Sequence, residues 1–373
     1  MKIVYFTHSL LSCWNHGNAH FLRGVLRELQ DRGHDVTAFE PADSWSLAQL
    51  LDAHGPAGLD SFHAAYPGLR PQRYSHIAEA DAALGEADLV LVHEWNTPAL
   101  VAELGRRRRH GARFTLLFHD THHRAVSEPE AMRAYDLDAY DGILAFGATL
   151  AETYRRWGWG DRAFVWHEAA DTRLFHPPEQ AIPRSGAVWI GNWGDGERSA
   201  ELEEFLLRPT QAAGMPLTIH GVRYPAQARA LVAQYGAALR GWLPNARVPE
   251  VFARTLVTLH VPRRFYATTL PGIPTIRVFE ALACGIPLLS APWEDCEGLF
   301  RLGTDYLVAT SAEIATRQLR TLRADCAMRR ELVANGLATI RARHSCAHRV
   351  DELLAIVARL RAPVARVPEA LRA

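Results

Sequence analysis

The stretch TIRVFEALACGIPLLSAP, residues 275–292, sets Glu280 in front of an otherwise apolar run and three residues after Arg277. An ionised carboxylate offers two acceptor oxygens and can hold a vicinal diol through charge-assisted hydrogen bonds. The plainer reading is a carboxylate near a helix N-terminus, where interaction with the helix dipole is worth about 0.3–1 kcal/mol. Guanidinium groups clamp phosphate oxygens bidentately and stay charged in any surroundings. Arg198, in GNWGDGERSAEL, follows a glycine loop at the start of a helix, a place where phosphate meets side chain and helix N-terminus together. Arg263, Arg264 and Arg277 are the other candidates, with a solvated surface as the alternative for each. FHDTHHR (118–124) carries three histidines, but zinc needs three or four clustered ligands and nothing nearby has that spacing, so no metal is expected. RRRRH (106–110) ends a helix before Gly111 and reads as cations favourably placed at a helix C-terminus.

The elements that must position these residues alternate regularly. KIVYF is a strand, the loop THSLLSCWNHGNAH follows, then the helical FLRGVLRELQDRG and the strand DVTAFE. ADLVLVHEW, TPALVAELGRRRRHG, RFTLLFHD and DGILAFG continue the pattern. After the Pro-rich stretch 175–186 it restarts at AVWIGNWG and runs through IRVFEALACG and PLLSAP to two C-terminal helices. Strands without strict alternation, separated by helices, indicate parallel sheets covered on both faces. The expected architecture is α/β: two doubly wound Rossmann-like domains, 1–176 and 187–345, with residues 346–373 as a C-terminal helix packing back on the first domain. Ligands sit beyond the carboxyl ends of such strands, so two facing sheets make a cleft. The loops there hold Asn18, His20, His93, Glu94, His119, Asp120, Asn192, Arg198 and the segment from Arg263 to Arg277.

Lys plus Arg and Asp plus Glu each number 41 in the 373 residues, so no global field favours nucleic acid or an acidic membrane, and a locally recognised small ligand fits better. The five cysteines have no CxxC spacing, which argues against a disulfide framework and for a reducing cytoplasm. The N-terminus lacks the pattern of a signal peptide, and no apolar run reaches about 18 residues. A cytoplasmic protein without a transmembrane segment is expected, with room for peripheral membrane contact.

The ordered set GHDVT (33–37), LLFHD (116–120), AADTRLFHP (169–177), RGWLPNARVPEVFARTLVTLHVPR (240–263) and FEALACGIPLLS (279–290) resembles the GT-B-fold glycosyltransferases of the large retaining "group 1" superfamily, family-4-like. Within it, the chain looks most like the CgeB-like, or spore-maturation-protein-like, branch. GHDVT alone is generic, whereas AADTRLFHP followed a domain later by FEALACGIPLL is specific, and the resemblance covers nearly the whole chain. It implies parallel sheets facing a central cleft, with Glu280 accepting the ribose hydroxyls of a nucleotide sugar. The family's first glutamate, eight positions earlier, is Gly272 here, and backbone N–H groups of the Gly272 to Thr275 loop, which also holds Ile273 and Pro274, would replace part of its role. Asn192, Arg198, Arg263 and Arg277 would serve the donor and its diphosphate, since no Asp-x-Asp motif that would hold a divalent ion is evident. His119 and Asp120 match positions that face the donor sugar. Gly17 and Asn18 would approach the donor from the first domain, while His20, His93 and Glu94 would face the acceptor. Gly241, Trp242 and Leu243 would line the base pocket. Trp14, Trp45, Trp95 and Trp193 are sugar-stacking candidates only where they stand in cleft loops, because aromatics are more often core.

The implied function is metal-independent, retaining glycosyl transfer from a nucleotide sugar to an unidentified glycan, small molecule or protein, with Arg198 and Arg277 stabilising the leaving phosphate. A phosphorylase would need a lysine for pyridoxal phosphate, and Lys2 is the only lysine. The alternatives are a nucleotide-sugar epimerase of the same fold and a catalytically weakened nucleotide-sugar binding module, the latter suggested by Gly272.

Overall fold

A computed structural model describes residues 1–194 and 196–362. The last eleven residues of the expected 346–373 element, 363–373, lie outside the described residues. In the first domain the strands are β1 (Lys2–Phe6), β2 (Asp35–Pro41), β3 (Gln72–Tyr74), β4 (Leu89–His93), β5 (Thr115–Asp120), β6 (Gly142–Ala145) and β7 (Ala163–Val165). They form one parallel sheet in the order β3-β2-β1-β4-β5-β6-β7. In the second domain β8 (Ser185–Ile190), β9 (Leu217–His220), β10 (Ala238–Leu239), β11 (Thr255–His260), β12 (Leu288–Ser290) and β13 (Leu307–Val308) form another, ordered β10-β9-β8-β11-β12-β13. In both sheets the winding reverses beside the first strand, between β1 and β4 and between β8 and β11, which opens a crevice at the strands' carboxyl ends. β4 (LVLVH) and β5 (TLLFHD) are buried at every position, as a strand covered on both faces requires.

The short strands carry too few residues to show a period in sequence. β3, β7, β10 and β13 are two or three residues long and close the sheet edges. The sequence suggests two C-terminal helices, but among the described residues there are three: Ala312–Ala324, Cys326–Arg343 and Cys346–Arg361. Asp325 makes the first break, leaving helical geometry so that its carboxylate accepts the N–H groups of Ala327 and Met328, both at 2.9 Å. The arginines at 106–109 fill the last turn of the helix Pro98–Arg109 and pair with Glu103, Asp81, Asp141 and Asp136.

Two chain segments pass between the domains, and they run side by side. The Ala170 N–H donates to the His344 carbonyl at 3.1 Å, and the Cys346 N–H donates to the Ala170 carbonyl at 3.0 Å. The helix Cys346–Arg361 then lies on the first helix of the chain (Asn18–Asp31), burying Val350, Leu353 and Val357 with Phe21, Leu22 and Val25. Each such aliphatic side chain contributes about 1.5–3 kcal/mol of hydrophobic burial. The fully buried Trp166 fixes the seam, its indole N–H donating to the Arg349 carbonyl at 2.8 Å.

Candidate active site

A cleft of about 700 Å³ lies between the carboxyl edges of the two sheets. The first domain contributes Cys13, Asn15 to Asn18, His20, Thr121 to His123 and Glu168; the second contributes Trp189 to Asn192, Arg198, Trp242, Leu243, Arg263 and Thr275 to Arg277. The helices Asn18–Asp31 and Ile276–Ala283 both start on this wall, close enough that a Cβ on Gly17 would stand 3.9 Å from Ile276 Cγ2. Two positive dipole ends thus converge on one space. Side chains tie the domains together around it. Asn192 Nδ2 donates to Asn15 Oδ1. Glu297 accepts the Ala148 N–H at 2.8 Å and meets His167 Nε2 at 2.9 Å, and the Thr149 hydroxyl donates to the Pro271 carbonyl at 3.1 Å.

Glu280, 1% exposed, sits just behind the wall. Its Oε1 accepts Asn245 Nδ2 at 2.8 Å and faces His20 Nδ1 at 3.2 Å, while Oε2 pairs with Arg277. Burial pushes this carboxyl up, but Arg277, His20 and Asn245 outweigh it and hold the group below the usual carboxylate range. Glu168, on the crossover from the first domain, behaves in the opposite way. Buried on the cleft wall beside the negative Glu280, it is pushed up to about 8, with the Ile276 N–H and Arg277 only partly offsetting this. At neutral pH one carboxyl is ionised and its neighbour holds a proton. Cys13 also lines the cleft; burial raises its thiol, but Arg23, His20 and the Asn245 backbone bring it down to about 6.

Arg198 is buried and held by two backbone carbonyls, Val261 at 3.0 Å and Asn192 at 2.8 Å, with its guanidinium 5.0 Å over the Trp189 ring. Burial and neighbouring Arg263 bring it down to about 10, so it stays charged at neutral pH. Arg263 lines the cleft and pairs with Glu197 at 2.5 Å, whereas Arg264 points to solvent and pairs with Glu201. Three cations, Arg198, Arg263 and Arg277, therefore meet two helix N-termini at one place.

A family model described as "Glycosyltransferase Family 4" matches residues 17–174, and one described as "Glycosyl transferase-like" matches residues 198–355. The chain is a GT-B glycosyltransferase. Solved structures of the same fold include Anabaena HepE in complex with UDP and glucose (15% identity, 96% of this chain and 99% of that one, TM-score 0.65). An alpha-glucosyltransferase in complex with UDP and a DNA 13-mer is similar (11% identity, 95% and 99% covered, TM-score 0.69), as is sucrose-phosphate synthase from Thermosynechococcus elongatus (16% identity, 96% and 98% covered, TM-score 0.63). No curated protein matches the chain.

The glycosyltransferase brings most of the expected residues to the cleft: Gly17, Asn18, His20, Asn192, Arg198, Trp242, Leu243, Arg263, Thr275 and Arg277 line it. Others lie behind it. β5 runs through Asp120, so His119 and Asp120 are fully buried strand residues. His119 Nδ1 meets the Tyr5 hydroxyl at 2.6 Å, and burial lowers the imidazole to about 3; Asp120 accepts the Tyr154 hydroxyl at 2.7 Å. Thr121, His122 and His123 are the residues of that segment that reach the cleft. His93 and Glu94 are likewise enclosed, His93 bonded to Asn18 and Thr121 and Glu94 paired with Arg124 at 3.3 Å. Gly272 spends its N–H on the Glu294 carbonyl at 2.7 Å, Ile273 packs into the first domain's core as an interdomain latch, and neither these two nor Pro274 line the cleft. The Gly241 carbonyl accepts the Gly221 N–H at 2.8 Å, and Gly241 stands outside the lining. An Asp-x-Asp triplet does occur, at Asp136–Asp138, but off the cleft, with Asp136 paired to Arg109 at 2.9 Å. Trp193 is buried in the second domain's core. Sequence reasoning passed over Glu168 and Cys13. Glu168 had a signal, a carboxylate in the apolar AFVWHEAA, of the same kind that drew attention to Glu280.

Proposed function

We propose that this glycosyltransferase takes a nucleoside diphosphate sugar as donor, with UDP sugars the first to test because UDP is the nucleotide in the similar HepE and alpha-glucosyltransferase structures. The observation that carries the reading is the meeting of Arg198, Arg263 and Arg277 with two helix N-termini on one cleft wall. The diphosphate lies against those groups, which supply its counter-charge in place of a metal ion. When the donor enters, Arg277 turns from Glu280 Oε2 to the phosphate, and the ribose hydroxyls take its place on the ionised carboxylate. Trp242 and Leu243 flank the base.

The acceptor hydroxyl attacks the anomeric carbon as the bond to the diphosphate breaks. The leaving phosphate receives the acceptor's proton from the same face, so configuration is retained. Arg198, pinned by two carbonyls, needs no reorganisation to stabilise the developing charge. The test is calorimetric titration with UDP, GDP, ADP and their glucose conjugates, for wild type and Glu280→Ala, with EDTA present throughout. A nucleotide at about 100 times its dissociation constant should also stabilise the fold by roughly 2.7 kcal/mol. Metal-free binding of one nucleotide, weakened in Glu280→Ala without loss of fold, supports the reading. An unchanged dissociation constant in the variant removes the ribose assignment, and no binding by any nucleotide removes the donor reading.

A further inference from the structure

Among the described residues the exposed large hydrophobic side chains are Trp45, Trp95 and Leu302, at 43%, 45% and 45%. Singly exposed apolar residues are ordinary, but both tryptophans here belong to one domain and line one cleft. Each indole is braced. Trp45 meets the Trp14 ring edge-on at 5.4 Å and lies 6.4 Å from His8. Trp95 meets His122 edge-on at 5.3 Å and carries the Arg124 guanidinium 4.7 Å over its ring. The rest of each indole is open, so two rigid apolar plates stand on the first domain's wall.

The polar groups beside the plates include four imidazoles. Burial pushes His8, His16, His122 and His123 below the usual histidine range, so they are uncharged at neutral pH, each with one N–H donor and one bare nitrogen, of which His123 spends Nδ1 on the Ser127 hydroxyl at 2.9 Å. Glu128, a carboxylate on this wall, faces Arg124 at 3.8 Å. The arginines proposed for the diphosphate all come from the other domain. Flat apolar plates with neutral hydrogen-bonding groups beside them match a pyranose, whose axial C–H groups stack on aromatic faces while its hydroxyls project sideways. An anionic acceptor would meet no surplus of positive charge on this wall.

We propose that the acceptor is an uncharged saccharide, seated on Trp45 and Trp95 with its hydroxyls on the cleft histidines. This rests on the glycosyltransferase reading above, but the seat can be tested without the donor. The probes are methyl glycosides of glucose, galactose, mannose and N-acetylglucosamine and their di- to tetrasaccharides. Glucose 6-phosphate, a thymidine oligonucleotide and octanol serve as the anionic, nucleic-acid and lipid comparisons.

Tryptophan fluorescence is titrated with each probe alone, and nucleotide release is measured with the donor present. Expected are a saturable fluorescence change with a neutral saccharide and turnover with the same compound. In Trp45→Ala and Trp95→Ala the acceptor KM should rise about tenfold or more, with the donor dissociation constant unchanged, and Trp95→Phe should recover part of the loss. Both positions are exposed, so the variants keep the fold. An unchanged acceptor KM in both alanine variants overturns the proposal, as does turnover only with the phosphorylated, nucleic-acid or lipid probe, or no response to any neutral saccharide. Loss of donor binding with the saccharide titration intact would overturn the donor reading alone.

Discussion

Replacing Glu168 by glutamine should make the protein more stable at alkaline pH. The carboxyl is raised from an ordinary 4.5 to about 8 in the folded protein, by burial first and by Glu280 second. The folded state therefore keeps a proton that the unfolded chain releases. Glu168's contribution to stability is fully present below pH 4.5 and is lost as pH rises through 8. Three and a half pH units at about 1.4 kcal/mol each bound the loss at roughly 5 kcal/mol. Glutamine reproduces the protonated shape and cannot ionise, so Glu168→Gln should match wild type near pH 4.5 and exceed it above pH 8 by on the order of 3–5 kcal/mol. At roughly 2–4 °C per kcal/mol for domains of this size, the separation in melting temperature is easily seen. Urea titrations of both proteins at pH 5, 7 and 8.5 measure it, provided the slopes agree. Parallel curves across that range would refute the argument. The same ionisation places a second negative charge beside the diphosphate seat, so donor affinity should fall above pH 8 in wild type and hold in the variant.

Cys13 should be the thiol first alkylated by iodoacetamide, with a half-maximal rate near pH 6; labelling of Cys296 or Cys326 ahead of it at pH 6.5, read by mass spectrometry, would contradict this. Gly272→Glu, which restores the glutamate of the resembling family, should lower the melting temperature by several degrees and bring no gain in donor affinity. Gly272 has φ +86°, and an added Cβ would stand 2.4 Å from Cys296 Sγ. A stable variant with tighter donor binding would overturn that account. Gly147→Ala should weaken the interdomain latch by about 1–3 kcal/mol, because its Cβ would stand 2.3 Å from Ile273 Cγ1. The double variant with Ile273→Ala should regain part of this in the same denaturation assay, and an additive loss would count against direct contact.

The sheets were legible because their central strands are long apolar runs, as in KIVYF and LVLVH, each followed by a glycine or polar loop. Strands of two or three residues at the edges leave no such trace. Glu280, Arg277 and Arg198 were legible for the same reason: a charge in or beside an apolar run needs a partner or a ligand. His119 and Asp120 show where that reasoning stops. Two residues decide whether a side chain ends a strand or begins the loop above it, and β5 extends through Asp120, which hands the cleft to Thr121, His122 and His123. Glu168 stands in an apolar run as well, but its retained proton was not legible, because that arises only when the second domain closes over it and brings Glu280 alongside, a relation between residues more than a hundred positions apart.

The pairing of Ala170 with Ser345 makes the second domain an insertion, entering and leaving the first at neighbouring points. The helix Cys346–Arg361, which covers the apolar face of the first helix, is therefore synthesised only after the whole inserted domain. On the ribosome, the domain begun first is finished last, and its first helix waits with that face bare while the second domain folds to completion. Shortened versions of the protein inherit the same order. A fragment ending near residue 176 should aggregate, whereas the same fragment joined by a short linker to residues 345–362 should be soluble.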